Sequence, residues 1–143
     1  MAVQALAPYV LDQNYNDVSV ETDIAEVVEQ ALDYLSDQQC DDGAFTSGDE
    51  ETCESTSQVI LALCDMQIDP SEDDRFVKDD NSVADALESF KNSDGNYKHA
   101  ADDEDSDALS TAQAMLATVA MQRLDDGGNR IFDFTSYEGP TED

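Results

Sequence analysis

Basic side chains are almost missing from this sequence. Its 143 residues hold 6 Lys and Arg against 35 Asp and Glu, a formal charge of −29 at pH 7. A chain so short of cations has little with which to neutralise phosphates, which excludes nucleic acid as a partner. Anionic membrane surfaces are disfavoured for the same reason. No apolar run approaches the ~20 residues of a bilayer span, so membrane insertion is not expected. The first eleven residues lack a basic n-region and do not read as a signal peptide. Tryptophan is absent and aromatics are 7% of residues, little material for a ring-lined cavity that stabilises cations. Histidine occurs once, as His99. The three cysteines, Cys40, Cys53 and Cys64, match no zinc spacing. Cys53 and Cys64 fall on one expected helix, about 16 Å apart at ~1.5 Å per residue, and cannot pair with each other. Cys40 and Cys53 flank a loop. They are the disulfide candidate if the compartment is oxidising, and free thiols otherwise.

What remains is enough for a core. Hydrophobic residues make up 40% of the chain, and its length suits one domain. The acidic excess fits solvated surface first, with cation binding or adaptation to salt as the other readings. Periodicity predicts helices throughout. Residues 1–10 read as an apolar helix end with Pro8, followed by loop over residues 12–17. Thr22 or Asp23 caps a helix to about Gln39, with Glu26 at capping-box spacing from Asp23. Its stripe is Ile24, Val27, Val28, Ala31, Leu32 and Leu35. Asp42-Gly43 ends this element. Residues 46–51 read as polar loop. A helix from Glu54 or Ser55 to Gln67 is apolar nearly all round, hence buried on most sides, and Asp69-Pro70 stops it. An acidic connector spans residues 71–80. Asn81 or Ser82 then caps a helix carrying Val83, Ala86, Leu87 and Phe90. Asp94-Gly95 ends it, and residues 99–105 are loop. Residues 107–123 form a second nearly apolar helix, with Met115 and Met121 expected in the core. A turn follows at 125–129, and residues 131–134 are extended or irregular.

The chain repeats itself. Asp42-Gly43-Ala44-Phe45 is echoed by Asp94-Gly95-Asn96-Tyr97, and Ser55-Thr-Ser-Gln58 by Ser110-Thr-Ala-Gln113. Each unit is an amphipathic helix, an Asp-Gly turn with an aromatic two residues after the Gly, a polar loop and an apolar helix. This divides a single domain, residues 1–137, into a truncated unit (1–11) and two full ones (22–68 and 81–124), with a frayed tail at 138–143. Units of this kind bury their faces only by stacking. The expected fold class is all-α, an array of antiparallel helical hairpins. The apolar edge at residues 1–11 is expected to pack on further repeats or on another chain.

Gln39-Cys-Asp-Asp-Gly-Ala-Phe45 resembles the Gln-x-x-x-Gly-x-Trp repeat of prenyltransferases and squalene cyclases, with Phe in place of Trp. Lys91-Asn-Ser-Asp-Gly-Asn-Tyr97 resembles a degraded copy. The Ser-Thr-x-Gln starts and the closing Asp126-Gly-Gly-Asn-Arg-Ile-Phe-Asp-Phe134 are similar to bacterial surface-protein modules related to the helical domain of transcobalamin and intrinsic factor. The resemblance implies part of an α/α toroid, a ring of six hairpins when complete. It also implies a non-catalytic binding or adhesion module of an exported or cell-surface protein, extracellular in location. Its other implications are a fragment of a terpene-cyclase or prenyltransferase type of enzyme, or half of a cobalamin-type carrier.

Little supports catalysis. Asp102-Asp-Glu-Asp-Ser-Asp107 departs from the Asp-x-Asp-Asp acid that the resemblance would require. His99 lies near these carboxylates but far from the cysteines, and reads as a surface-loop residue. Asp102, Asp103, Asp105 and Asp107 are calcium candidates by their oxygen donors, although the EF-hand Gly and terminal Glu are missing. The alternative is solvated charge at a helix N-terminus. No other cofactor is indicated. No Ser-His-Asp arrangement, nucleophile elbow or phosphate loop occurs.

Overall fold

The computed structural model describes residues 1–12 and 23–133. The loop expected at 12–17, apart from Asp12, lies outside them, as do Thr22, Phe134 and the tail at 138–143. The chain is mostly α, with five α-helices and two two-stranded antiparallel ribbons among the described residues.

Helix α1 spans Ala2–Leu11 and buries Val3 and Ala7. Helix α2 spans Ile24–Gln38 and is capped by Asp23, whose side chain accepts from the Glu26 N–H at 3.2 Å. Val28 and Leu32 are its buried positions. Helix α3, Cys53–Asp65, starts one to two residues earlier than its sequence suggests, because Thr52 is the cap and accepts from the Ser55 N–H. Ten of its 13 residues are buried, which makes it the central element. It packs against α1, α4 and α5. Helix α4, Val83–Ser89, opens with a full capping box between Ser82 and Asp85. Helix α5, Ala108–Asp125, is capped by Asp107.

Two segments expected as irregular are ribbons. Strands β1 (Thr46–Ser47) and β2 (Glu50–Glu51) pair around Gly48, which has φ +68°. Strands β3 (Val77–Lys78) and β4 (Asn81–Ser82) pair around Asp79 and Asp80, with φ of 47° and 67°. Two positive-φ residues in a row make the tight turn whose twist matches a hairpin, and Asp is among the few side chains that tolerate it. A 3-10 turn at Asp74–Phe76 precedes β3 and buries Phe76 completely.

The core runs along α3 and collects Leu32, Phe45, Phe76, Leu87, Phe90 and Tyr97 from the surrounding elements. Phe45 and Tyr97, the aromatics after the two Asp-Gly turns, are both buried. One expectation fails at α5. That helix was expected to be buried on most sides, yet only Ser110, Ala114, Ala117 and Ala120 are buried. Met115 is 61% exposed rather than core, because among the described residues α3 is the helix that packs closely against α5. Met121 does pack against the core.

Candidate functional site

The N-terminal halves of α3 and α5 lie side by side and run in the same direction. The Cys53 Sγ meets the Ser110 carbonyl at 3.7 Å, and one helical turn further on the Gln58 amide donates to Gln113 Oε1 at 3.3 Å. Gln58 and Gln113 are corresponding residues of the two units. Their contact sets the two helices level with each other.

An open groove of about 670 Å³ lies over this seam. Its polar lining is Gln38, Thr46, Glu54, Ser55, Gln58 and Gln113, and its apolar lining includes Leu35, Phe45 and Val59. Tyr34, 63% exposed, stands at its edge. A more apolar hollow of about 310 Å³ shares Tyr34, Leu35, Gln58 and Val59 and continues towards α1.

Glu54 ties the groove to the second unit. It accepts from Ser110 Oγ at 2.7 Å and pairs with His99 Nδ1 at 2.9 Å. His99 Nε2 also lies 3.5 Å from Glu50. The Glu54 hydrogen bond and charge raise the His99 pKa above the ordinary histidine value, helped by Glu50 and Asp103. Ser, His and Glu are thus close together, but in an order that does not activate the serine. The carboxylate sits between hydroxyl and imidazole, and the fully buried Ser110 hydroxyl also lies 2.9 Å from Asp107. A nucleophile needs access to substrate as well as an adjacent base, and Ser110, fully buried, has no such access.

The calcium candidates do not converge. Asp107 caps α5, with its carboxylate accepting from the Ser110 N–H at 2.8 Å. Asp103 accepts from the Ala100 N–H at 3.0 Å. Asp102 and Asp105 are exposed. The one convergence of cation-ligating side chains among the described residues is Cys40, Asp42 and Glu51, whose ligand atoms lie within 4.8 Å of one another. The second unit shows what this position does. There Asn92, Asp94 and Ser106 stand in the corresponding places, and Ser106 Oγ bonds Asp94 at 2.9 Å while Asn92 Nδ2 donates to Ser106 at 3.2 Å. Both trios brace an Asp-Gly turn. In the first, burial and then the hydrogen bond with Asp42 raise the Glu51 pKa, and burial together with Glu51 pushes the Cys40 thiol up to about 11.

All three cysteines are free thiols. The Cys40–Cys53 disulfide candidate is not formed: Cys40 faces Glu51 across the turn, whereas Cys53 is buried against Ser57 and Ser110. Burial pushes Cys53 up to about 11 and Cys64 up to about 12. None of the three is an activated thiolate at neutral pH.

Sequence reasoning placed Gln58 and Gln113 as repeat landmarks but not as site residues, and it missed Tyr34, Gln38 and Thr46. The available signal was a polar Gln at the same place in two otherwise apolar helices. No described helix is long and apolar enough to cross a membrane. Comparison of the chain with family models, with curated proteins and with solved structures finds no match.

Proposed function

We propose that this chain is a non-catalytic binding module, part of an α/α toroid in an exported or surface-attached protein, with the groove over the α3–α5 seam as its ligand seat. The observation that carries this reading is the lining of the groove. Amide and hydroxyl groups from Gln38, Thr46, Ser55, Gln58 and Gln113 surround it, beside the exposed ring of Tyr34. Such groups recognise a ligand by hydrogen bonds and stacking without changing it. The titratable groups beside the groove are committed elsewhere, Glu54 to Ser110 and His99 and Asp107 to the helix cap. Among the described residues that leaves no general base poised over a substrate. The field of a −29 chain selects against anionic ligands, so the ligand class is neutral or cationic.

The test is a backbone-amide NMR titration with neutral oligosaccharides, with Lys-rich peptides and with heparin as the anionic control. Perturbations centred on Tyr34, Gln58 and Gln113 with a neutral or cationic probe are expected, and the double variant Tyr34→Ala/Gln58→Ala should weaken them at least tenfold. Perturbations confined to other surfaces, or produced by heparin alone, would overturn the assignment of the groove.

A further inference from the structure

The two units can be laid over each other residue by residue, with α5 displaced from α3 by 55 positions. This register says what each face of an inner helix does. On α3 the stripe Cys53, Ser57, Ile60 and Cys64, spaced i, i+4, i+7, i+11, is entirely buried. It faces α5. Its first member touches the Ser110 carbonyl and feels Asp107, and its last feels Asp125, the two ends of α5. The corresponding stripe on α5 is Ala108, Ala112, Met115 and Val119. All four are exposed, Met115 by 61% and Val119 by 47%. A hollow of about 500 Å³ lies along its first half, with Asp94, Ser106 and Asp107 also in its lining. In the first unit the equivalent space is filled by the chain of the second, where the Cys53 N–H donates to the His99 carbonyl at 2.9 Å. The face that carries the unit-to-unit interface is therefore built twice and covered once.

Charge marks the occupant. Acidic residues punctuate α2, α3 and α4, but α5 has none before Asp125 and α1 has no charged residue at all. In a chain of charge −29, these are the two helices that approach another copy without setting carboxylates against carboxylates. On α1, Ala2 and Ala5 are exposed, on the side away from the buried Val3 and Ala7. We propose that the α5 face of one copy docks the α1 face of a second copy, head to tail, continuing between molecules the packing that α3 and α5 make within one. Such a contact is heterologous and builds a ring or an open filament, not a two-fold dimer. Because the remaining surface is acidic, association strengthens as salt shortens the screening length to about 3 Å near 1 M.

The experiment is sedimentation velocity of the full chain in 0.05–2 M KCl (roughly 14 to under 3 Å of screening length), with Met115→Glu and Ala5→Glu as variants. Both positions are exposed, and circular dichroism checks that each variant keeps its fold. Wild type should form dimers and larger species that grow with salt, and each variant alone should stay monomeric. An equimolar mixture of the two variants should stop at one 1:1 complex, since each retains one intact face. Wild type that is monomeric at every salt and concentration overturns the proposal. So does an assembly lost in Met115→Glu but untouched in Ala5→Glu, which would mean that two α5 faces pair with each other.

Discussion

The turn at Asp42-Gly43 and the turn at Asp94-Gly95 are bonded alike. In the first, Cys40 N–H donates to the Ala44 carbonyl, Gly43 N–H to the Cys40 carbonyl and Ala44 N–H to Asp42 Oδ1. In the second, Asn92, Gly95, Asn96 and Asp94 make the same three bonds. The Phe45 N–H donates to Thr56 Oγ1 at 3.1 Å, and the Tyr97 N–H to Thr111 Oγ1 at 2.9 Å. What surrounds the turns is different. The first is pressed against β4, and a Cβ on Gly43 would lie 2.4 Å from the Ser82 carbonyl oxygen; a Cβ on Gly95 would meet nothing within 4 Å. Gln39, buried, donates to the Gly43 carbonyl and across to the Phe76 carbonyl at 2.9 Å. Its counterpart Lys91 is exposed and turns back to Glu88 on its own helix. One local design thus has two energetic roles, a joint between units in the first case and a free surface turn in the second.

The sharpest way to break this comparison is to put a side chain on each glycine. Both have φ near +86°, so each Ala variant carries the left-handed penalty of about 1–2 kcal/mol. Gly43→Ala adds a clash with backbone that cannot swing away, bringing its expected cost to about 3 kcal/mol or more. Gly95→Ala should cost only about 1 kcal/mol. Urea unfolding of both variants measures the gap, and equal losses would mean that the Ser82 wall yields.

The threonines give a smaller contrast. Thr56→Val leaves the Phe45 N–H buried without its acceptor, an expected loss of about 2 kcal/mol. Thr111→Val should cost about 1 kcal/mol, because Thr111 is half-exposed and water can replace the bond. A Thr111 loss as large as the Thr56 loss would show that the second turn is as closed as the first.

The smallest effect is expected at the seam between units, where His99 meets Glu54. The folded pKa of His99 lies above its unfolded value of about 6.5. Its stabilising contribution is therefore fully present below pH 6.5 and lost as pH rises through the folded value. The urea midpoint of His99→Gln should fall below that of wild type at pH 6, and the gap should close towards pH 8.5. A gap that is constant or widens with pH would show that the imidazolium–carboxylate pair does not hold the units together.

Much of the fold was legible in the residues themselves. Asp23 and Ser82 cap the helices they precede, because a short oxygen-bearing side chain satisfies the first free N–H groups wherever the following residues are helical. The Asp-Gly-x-aromatic echo marked both turns. The two ribbons were not legible, since Asp79-Asp80 reads as acidic linker until its backbone is seen to turn. The groove was less legible still. Tyr34 and Gln38 come from α2, Thr46 from β1 and Gln113 from α5, and no local pattern relates them.

Composition and periodicity by themselves determined that this chain is mostly helical, strongly acidic and built on a doubled sequence unit. Each of these depends on neighbours in sequence or on a sum over the chain. Tertiary structure alone decided which copy of each shared feature is covered. Cys53 and Ala108, Gly43 and Gly95, Gln39 and Lys91 hold matching places in the repeat. The first of each pair is enclosed or tied across to another segment, because a neighbouring element of the same chain packs against it. The second is open, because within the described residues nothing does.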